Sequence, residues 1–131
     1  MNFTIRPVVK KDYRFLYNLL KTRCSTWNIS HKTMPSYKEH CEFNDKKPYR
    51  VDFVIYDSNE KIGRIYITNK QEVGIYALSK QVVIEVLEEV LGFAVDNKLN
   101  LFFNVSPNNK LLNNYFRKKG LKPIQYTYRY L

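Results

Sequence analysis

Glycine is scarce in this chain, with four in 131 positions: Gly63, Gly74, Gly92 and Gly120. No two of them are close enough to form a glycine-rich turn. This excludes the usual phosphate cradle, in which clustered glycines let main-chain N–H groups approach an anion without a Cβ clash. Four glycines and five prolines also leave little material for linkers, and the length suits one domain with its own core. The two cysteines, Cys24 and Cys41, fit neither a disulfide framework nor a zinc spacing, so reduced thiols and no metal are expected. No apolar run is long enough for a signal peptide or a membrane span, so a soluble, cytoplasmic protein is expected. Acidic residues are absent after Asp96, whereas Lys98, Lys110, Arg117, Lys118, Lys119, Lys122 and Arg129 follow it. With a net charge of +10, that one-signed third would attract phosphates of a nucleotide cofactor, a nucleic acid or an acidic sugar nucleotide. A merely solvated basic face is the plainer reading.

What is present is apolar and aromatic: 44% hydrophobic residues, with eleven Tyr and eight Phe. Phe3 to Val9 alternates as a strand. Asp12 is placed to cap a helix whose stripe is Phe15, Leu16, Leu19 and Leu20. Periodicity lapses from Cys24 to Lys47, a substrate-facing stretch, except for a short helix opened by Ser36 before Tyr37, His40, Cys41 and Phe43. Arg50 to Tyr56 and Ile62 to Thr68 are strands joined by a turn-forming run. Glu72 to Leu78 is another strand, with Glu72, Gly74 and Tyr76 on one face and Val73, Ile75 and Ala77 on the other. A long helix follows, apolar along Val83, Val86, Leu87, Val90, Leu91 and Ala94. Asn100 to Val105 then forms a strand parallel to the one before the helix, because a crossover joins them. Pro107 opens a last helix through Leu111, Leu112, Tyr115 and Phe116, stopped by Gly120. Pro123 to Tyr130 alternates again and is expected to close the sheet.

This order of elements resembles the GNAT acyltransferase superfamily, as do the segments KIGRIYIT, EVGIYAL and NVSPNNKLLNNYFRKKGLKP. The last is similar to the family's closing pattern, with Asn109 and Phe116 at its Asn and aromatic positions and Leu121 at the final aromatic. The middle of the chain has a weaker likeness to members that acylate nucleotide-linked amino sugars. The resemblance implies a mixed α/β (α+β) fold: a mostly antiparallel sheet of about six strands, helices on both faces, and a parallel fourth and fifth strand that splay apart. It also implies acetyl-CoA or another acyl-CoA as cofactor, and transfer to a primary amine of a small molecule, such as an amino sugar. Nucleic acid is not the expected partner, and two chains could pair through the final strand. The alternative is a GNAT fold without catalysis, serving as a binding or assembly module.

By that resemblance the pyrophosphate loop falls on Leu78, Ser79, Lys80, Gln81, Val82 and Val83, where the family pattern has glycines and this chain has none. Cofactor binding is therefore expected to be weakened or rearranged. Ala77, Asn109 and Phe116 complete the implied cofactor contacts, with an oxyanion donor from the main chain near Ala77 or Leu78. Many members use a helix tyrosine as the acid for the leaving thiolate. Phe116 stands there and has no proton to give, which leaves Tyr115 only if the alignment slips by one residue. Glu72 and His40 are the candidate bases. Arg23, Tyr37 and Tyr49 are the candidate acceptor-binding residues.

Overall fold

A computed structural model describes residues 3–22 and 34–130. The elements are β1 (Phe3–Pro7), a 3₁₀ turn (Lys10–Asp12), α1 (Tyr13–Thr22), α2 (Tyr37–Asp45), β2 (Val51–Asp57), β3 (Glu60–Ile67), β4 (Glu72–Ala77), α3 (Lys80–Asp96), β5 (Phe102–Phe103) and α4 (Lys110–Lys118). Arg23 lies outside the described residues, with the rest of 23–33.

The strands lie in the order β1-β2-β3-β4-β5. Each neighbouring pair is antiparallel except β4 and β5, which are parallel. Strand alternation sends Val54 and Tyr56 to one face, where they meet Tyr13 and Leu16 of α1. Ile55 goes to the other face, against Val82 and Val86 of α3. The register shifts between Ile55 and Tyr56, and this bulge turns Ile62 onto the α3 face beside Ile55. Val54 and Ile55 are fully buried, so the two layers of core meet at the middle of β2.

Local signals act where the residue types place them. Ser36 caps α2: its Oγ accepts from the Glu39 N–H (3.1 Å), while Glu39 accepts from the Ser36 N–H (2.9 Å). Gly120 ends α4 with φ +84°, donating to the Arg117 carbonyl as Leu121 donates to that of Phe116, which is the full Schellman pattern. Asp12 sits within the 3₁₀ turn instead of capping α1. Its carboxylate accepts from the Val9 N–H (2.8 Å) and pairs with Lys61 (2.6 Å).

The end of the chain departs from expectation. Residues 123–130 form no strand, so the sheet has five strands among the described residues, not six. Ile124, Tyr126, Tyr128 and Tyr130 are 71–100% exposed. The strand expected at Asn100 to Val105 shrinks to Phe102–Phe103. The two departures share a cause: β5 leaves β4 after two residue pairs and offers 123–130 almost no ladder to join.

Candidate functional site

The divergence of β4 from β5 builds the site. Glu72 pairs with Phe102 and Val73 with Phe103, and beyond them the strands separate. The wedge between them holds a cavity of about 170 Å³. Glu72, Gly74 and Tyr76 of β4 line it with Tyr66 and Thr68 of β3 and its end; Asn104 and Ser106 lie across it, and Val83, Leu87, Asn109 and Phe116 come from the α3 and α4 side.

The main chain of β4 is half used. The Leu78 N–H donates to Ile62 (2.9 Å) and the Glu72 carbonyl accepts from Thr68 (2.9 Å), so even-numbered residues bond to β3. In an antiparallel ladder the odd residues then point their N–H and C=O the other way. For Ile75 and Ala77 that direction is the open wedge, where β5 no longer pairs. Of the main-chain groups expected to supply an oxyanion donor, that of Ala77 points toward the wedge but Ala77 does not line the cavity; Ile75, two residues earlier, does. The Leu78 N–H is taken, and its side chain is 59% exposed outside the cavity.

Glu72 stands at the vertex, its carboxylate held from both sides. Asn104 Nδ2 donates to one oxygen (2.7 Å) and Thr68 Oγ1 to the other (3.4 Å). Tyr66 crosses β4 at Gly74, where any Cβ would overlap its ring. Tyr49 stacks on that ring (3.8 Å between centroids, 12° between planes), and the Tyr66 hydroxyl lies 3.4 Å from that of Tyr76. Burial pushes the Tyr49 phenol up to about 12 despite the opposing effect of Arg64, so it stays neutral behind the cavity wall.

Of the residues singled out from sequence, Glu72, Val83, Asn109 and Phe116 meet at the cavity. Asn109 is buried and caps α4, its Oδ1 accepting from the Leu112 N–H (3.1 Å). Tyr49 serves one layer behind. His40 does not line the cavity: it is 5% exposed, packed on Tyr17 and hydrogen-bonded to Asn44, so an acceptor cannot reach it. Tyr37 meets Tyr17 edge to face and lies under the Arg14 guanidinium, also away from the cavity. Tyr115 points out of the wedge and donates to Glu88 (2.8 Å). Burial, then that bond, raises its phenol and keeps its proton in place.

At the α3 N-terminus, Ser79 Oγ accepts from Val82 and the Ser79 carbonyl from Val83, while Gln81 Nε2 reaches Glu85. Ser79, Lys80, Gln81 and Val82 stand outside the cavity, just past the strand end. Sequence reasoning missed Tyr66, Thr68, Asn104 and the main chain of Ile75. Gly74 in mid-strand was the available signal, since a glycine there marks a close approach.

No protein-family model matches the chain, and no curated protein matches it by sequence. Solved structures do match. A domain from Methanocaldococcus jannaschii aligns with TM-score 0.75 at 18% identity, over 96% of this chain and 92% of that one. The spermidine N-acetyltransferase SpeG from Vibrio cholerae (an N152L mutant) aligns at 0.65 and 19%, over 90% and 78%. The enzyme AAC(6')-Iy, in complex with a CoA-linked bisubstrate analogue, aligns at 0.63 and 13%, over 100% and 98%. At these identities the likeness is one of fold.

Proposed function

Taking the GNAT acyltransferase fold as the premise, we propose that this chain is an acyl-CoA-dependent N-acetyltransferase acting on a primary amine. The observation that carries this reading is the wedge itself: the main-chain N–H and C=O groups of Ile75, and of Ala77 further along, which face it without a paired strand among the described residues, and a fixed carboxylate, Glu72, at its vertex. Those groups suit the amides of a pantetheine arm, which would complete the ladder that β5 abandons. The volume supports an arm and not a whole cofactor, since about 170 Å³ falls below the ~300 Å³ of ordinary ligand pockets. The nucleotide end would lie outside, near the α3 N-terminus. There the Gln81 N–H has no hydrogen-bond partner among the described residues, while those of Val82 and Val83 are already used. This supports cofactor binding weaker than a glycine-rich loop would give.

When bound, the acyl thioester supplies the electrophilic carbonyl. Glu72 takes the proton that the amine loses, and an N–H of Ile75 or Ala77 faces the developing oxyanion. The hydroxyl and amide lining from Tyr66, Thr68, Tyr76 and Asn104 favours a hydroxyl-bearing acceptor, so the amine of an amino sugar is the finer reading. Such an acceptor and donor suit a cytoplasmic protein. No helix among the described residues is long and apolar enough to cross a membrane.

The assay is release of free thiol from acetyl-CoA in the presence of amino sugars, polyamines and amino acids. Thiol release that depends on an amine is the expected result. If acetyl-CoA neither loses its acetyl group nor raises the melting temperature at millimolar concentration, the enzyme reading falls and the assembly-module reading takes its place.

A further inference from the structure

The position from which a helix residue could protonate the departing thiolate is occupied by carbon: Phe116 lines the wedge, and Tyr115 is turned to Glu88. The opposite wall carries phenols. Among the described lining residues the hydroxyl groups are those of Tyr66, Thr68, Tyr76 and Ser106. An ordinary phenol, at about 10, lies within about two pH units of a thiol, at about 8.5. Aliphatic hydroxyls are far weaker acids.

The two phenols are not equivalent. Tyr66 pairs with Gly74 across the β3–β4 ladder, and its ring lies over that glycine, held from behind by Tyr49. Its hydroxyl is thereby carried across β4 to the level of Gly74, between Glu72 and Tyr76 on the same face. Ile75, with its wedge-facing N–H, is the next residue. Any side chain at position 74 would displace the ring.

We infer that Tyr66 is the acid of the reaction, delivering its phenolic proton to the leaving sulfur. The inference rests on the acyl-transfer reading above. In the step, the amine nitrogen forms a bond to the acyl carbon and loses a proton to Glu72. The C–S bond breaks with its electron pair on sulfur, and the sulfur takes the Tyr66 proton. The phenolate regains the proton held by Glu72 through solvent, so no net proton is gained or lost with a neutral amine. Tyr76, its hydroxyl 3.4 Å from that of Tyr66, is a positioning residue.

The test exploits the leaving group. Tyr66→Phe keeps the ring, the stack on Tyr49 and the fit over Gly74, so folding and acetyl-CoA affinity should persist. The expected loss in kcat with acetyl-CoA is about a hundredfold, the low end for a positioned proton donor. With the acetyl thioester of 4-nitrothiophenol, whose thiolate needs no proton to leave, the loss in kcat/KM should stay within about threefold on the same scale. Gly74→Ala should reproduce this pattern by moving the ring. Equal losses with both thioesters, or no loss with acetyl-CoA, would overturn the assignment while leaving acyl transfer intact. A parent protein that releases thiol from neither thioester would overturn the acyl-transfer reading and this assignment together.

Discussion

Replacing Glu72 with Gln is expected to lower kcat/KM for the amine by about a hundredfold or more, the range for loss of a positioned general base. The substitution is chosen to spare the fold. A Gln at this position keeps the shape, and its carbonyl oxygen can still accept from Asn104, which now donates to Glu72 across 2.7 Å. What it loses is the capacity to take up a proton at the vertex of the wedge. Melting temperature and acetyl-CoA affinity should therefore remain near those of the parent while turnover falls. A fall of less than threefold, with the fold intact, would remove Glu72 from the chemistry and leave it as a strand-end anchor.

Arg64→Ala is expected to produce the largest loss of stability, about 3 kcal/mol in urea unfolding, from a total that for domains of this kind is about 5–15 kcal/mol. The Arg64 guanidinium is 3% exposed as a residue and holds Asp52 through two bonds (2.8 and 2.7 Å), with a third to Asn44 (2.8 Å). Removing it strands a partly buried carboxylate. The loss is placed at the lower end of the range for a broken buried pair because the Asp52 side chain is 21% exposed and can recruit water. The effect reaches the site through packing. Arg64 lies 5.2 Å from the Tyr49 ring centroid, Tyr49 stacks on Tyr66, and Asn44 links the pair to α2 and His40. A shift in the unfolding midpoint equivalent to less than about 1 kcal/mol would show that the network contributes no more than a surface pair.

These expectations draw on residues that differ in how far the sequence alone reveals them. Ser36 at the start of α2, the apolar stripe of α3 and Gly120 at the end of α4 are local signals, read within a few residues, and each appears in the structure where its chemistry places it. The two faces of β4 follow from alternation: Ile75 and Ala77 pack in the core clusters of α3 and α4, and Val73 is buried. The closing strand was misleading because period two in residues 123–130 comes from tyrosines, which tolerate water and carry alternation without a partner. Tyr66, Asn104 and Thr68 were illegible for a different reason. They meet Glu72 and Gly74 only through the β3–β4 register and the parallel contact of β4 with β5, and neither register can be counted from one segment. His40 shows the converse. Histidine is a common acid–base residue, but its place between Tyr17 and Asn44 makes this one a core residue.

Acyl transfer by this chain requires the wedge to be a binding slot and not merely a frayed sheet. The most direct measurement is a crystal structure of the protein with CoA bound. The pantetheine arm should lie between β4 and the residues after β5, its amides bonded to the main chain of Ile75 and Ala77 and its sulfur near the Tyr66 hydroxyl. CoA bound elsewhere, or a wedge filled by side chains with β4 and β5 drawn together, would contradict it.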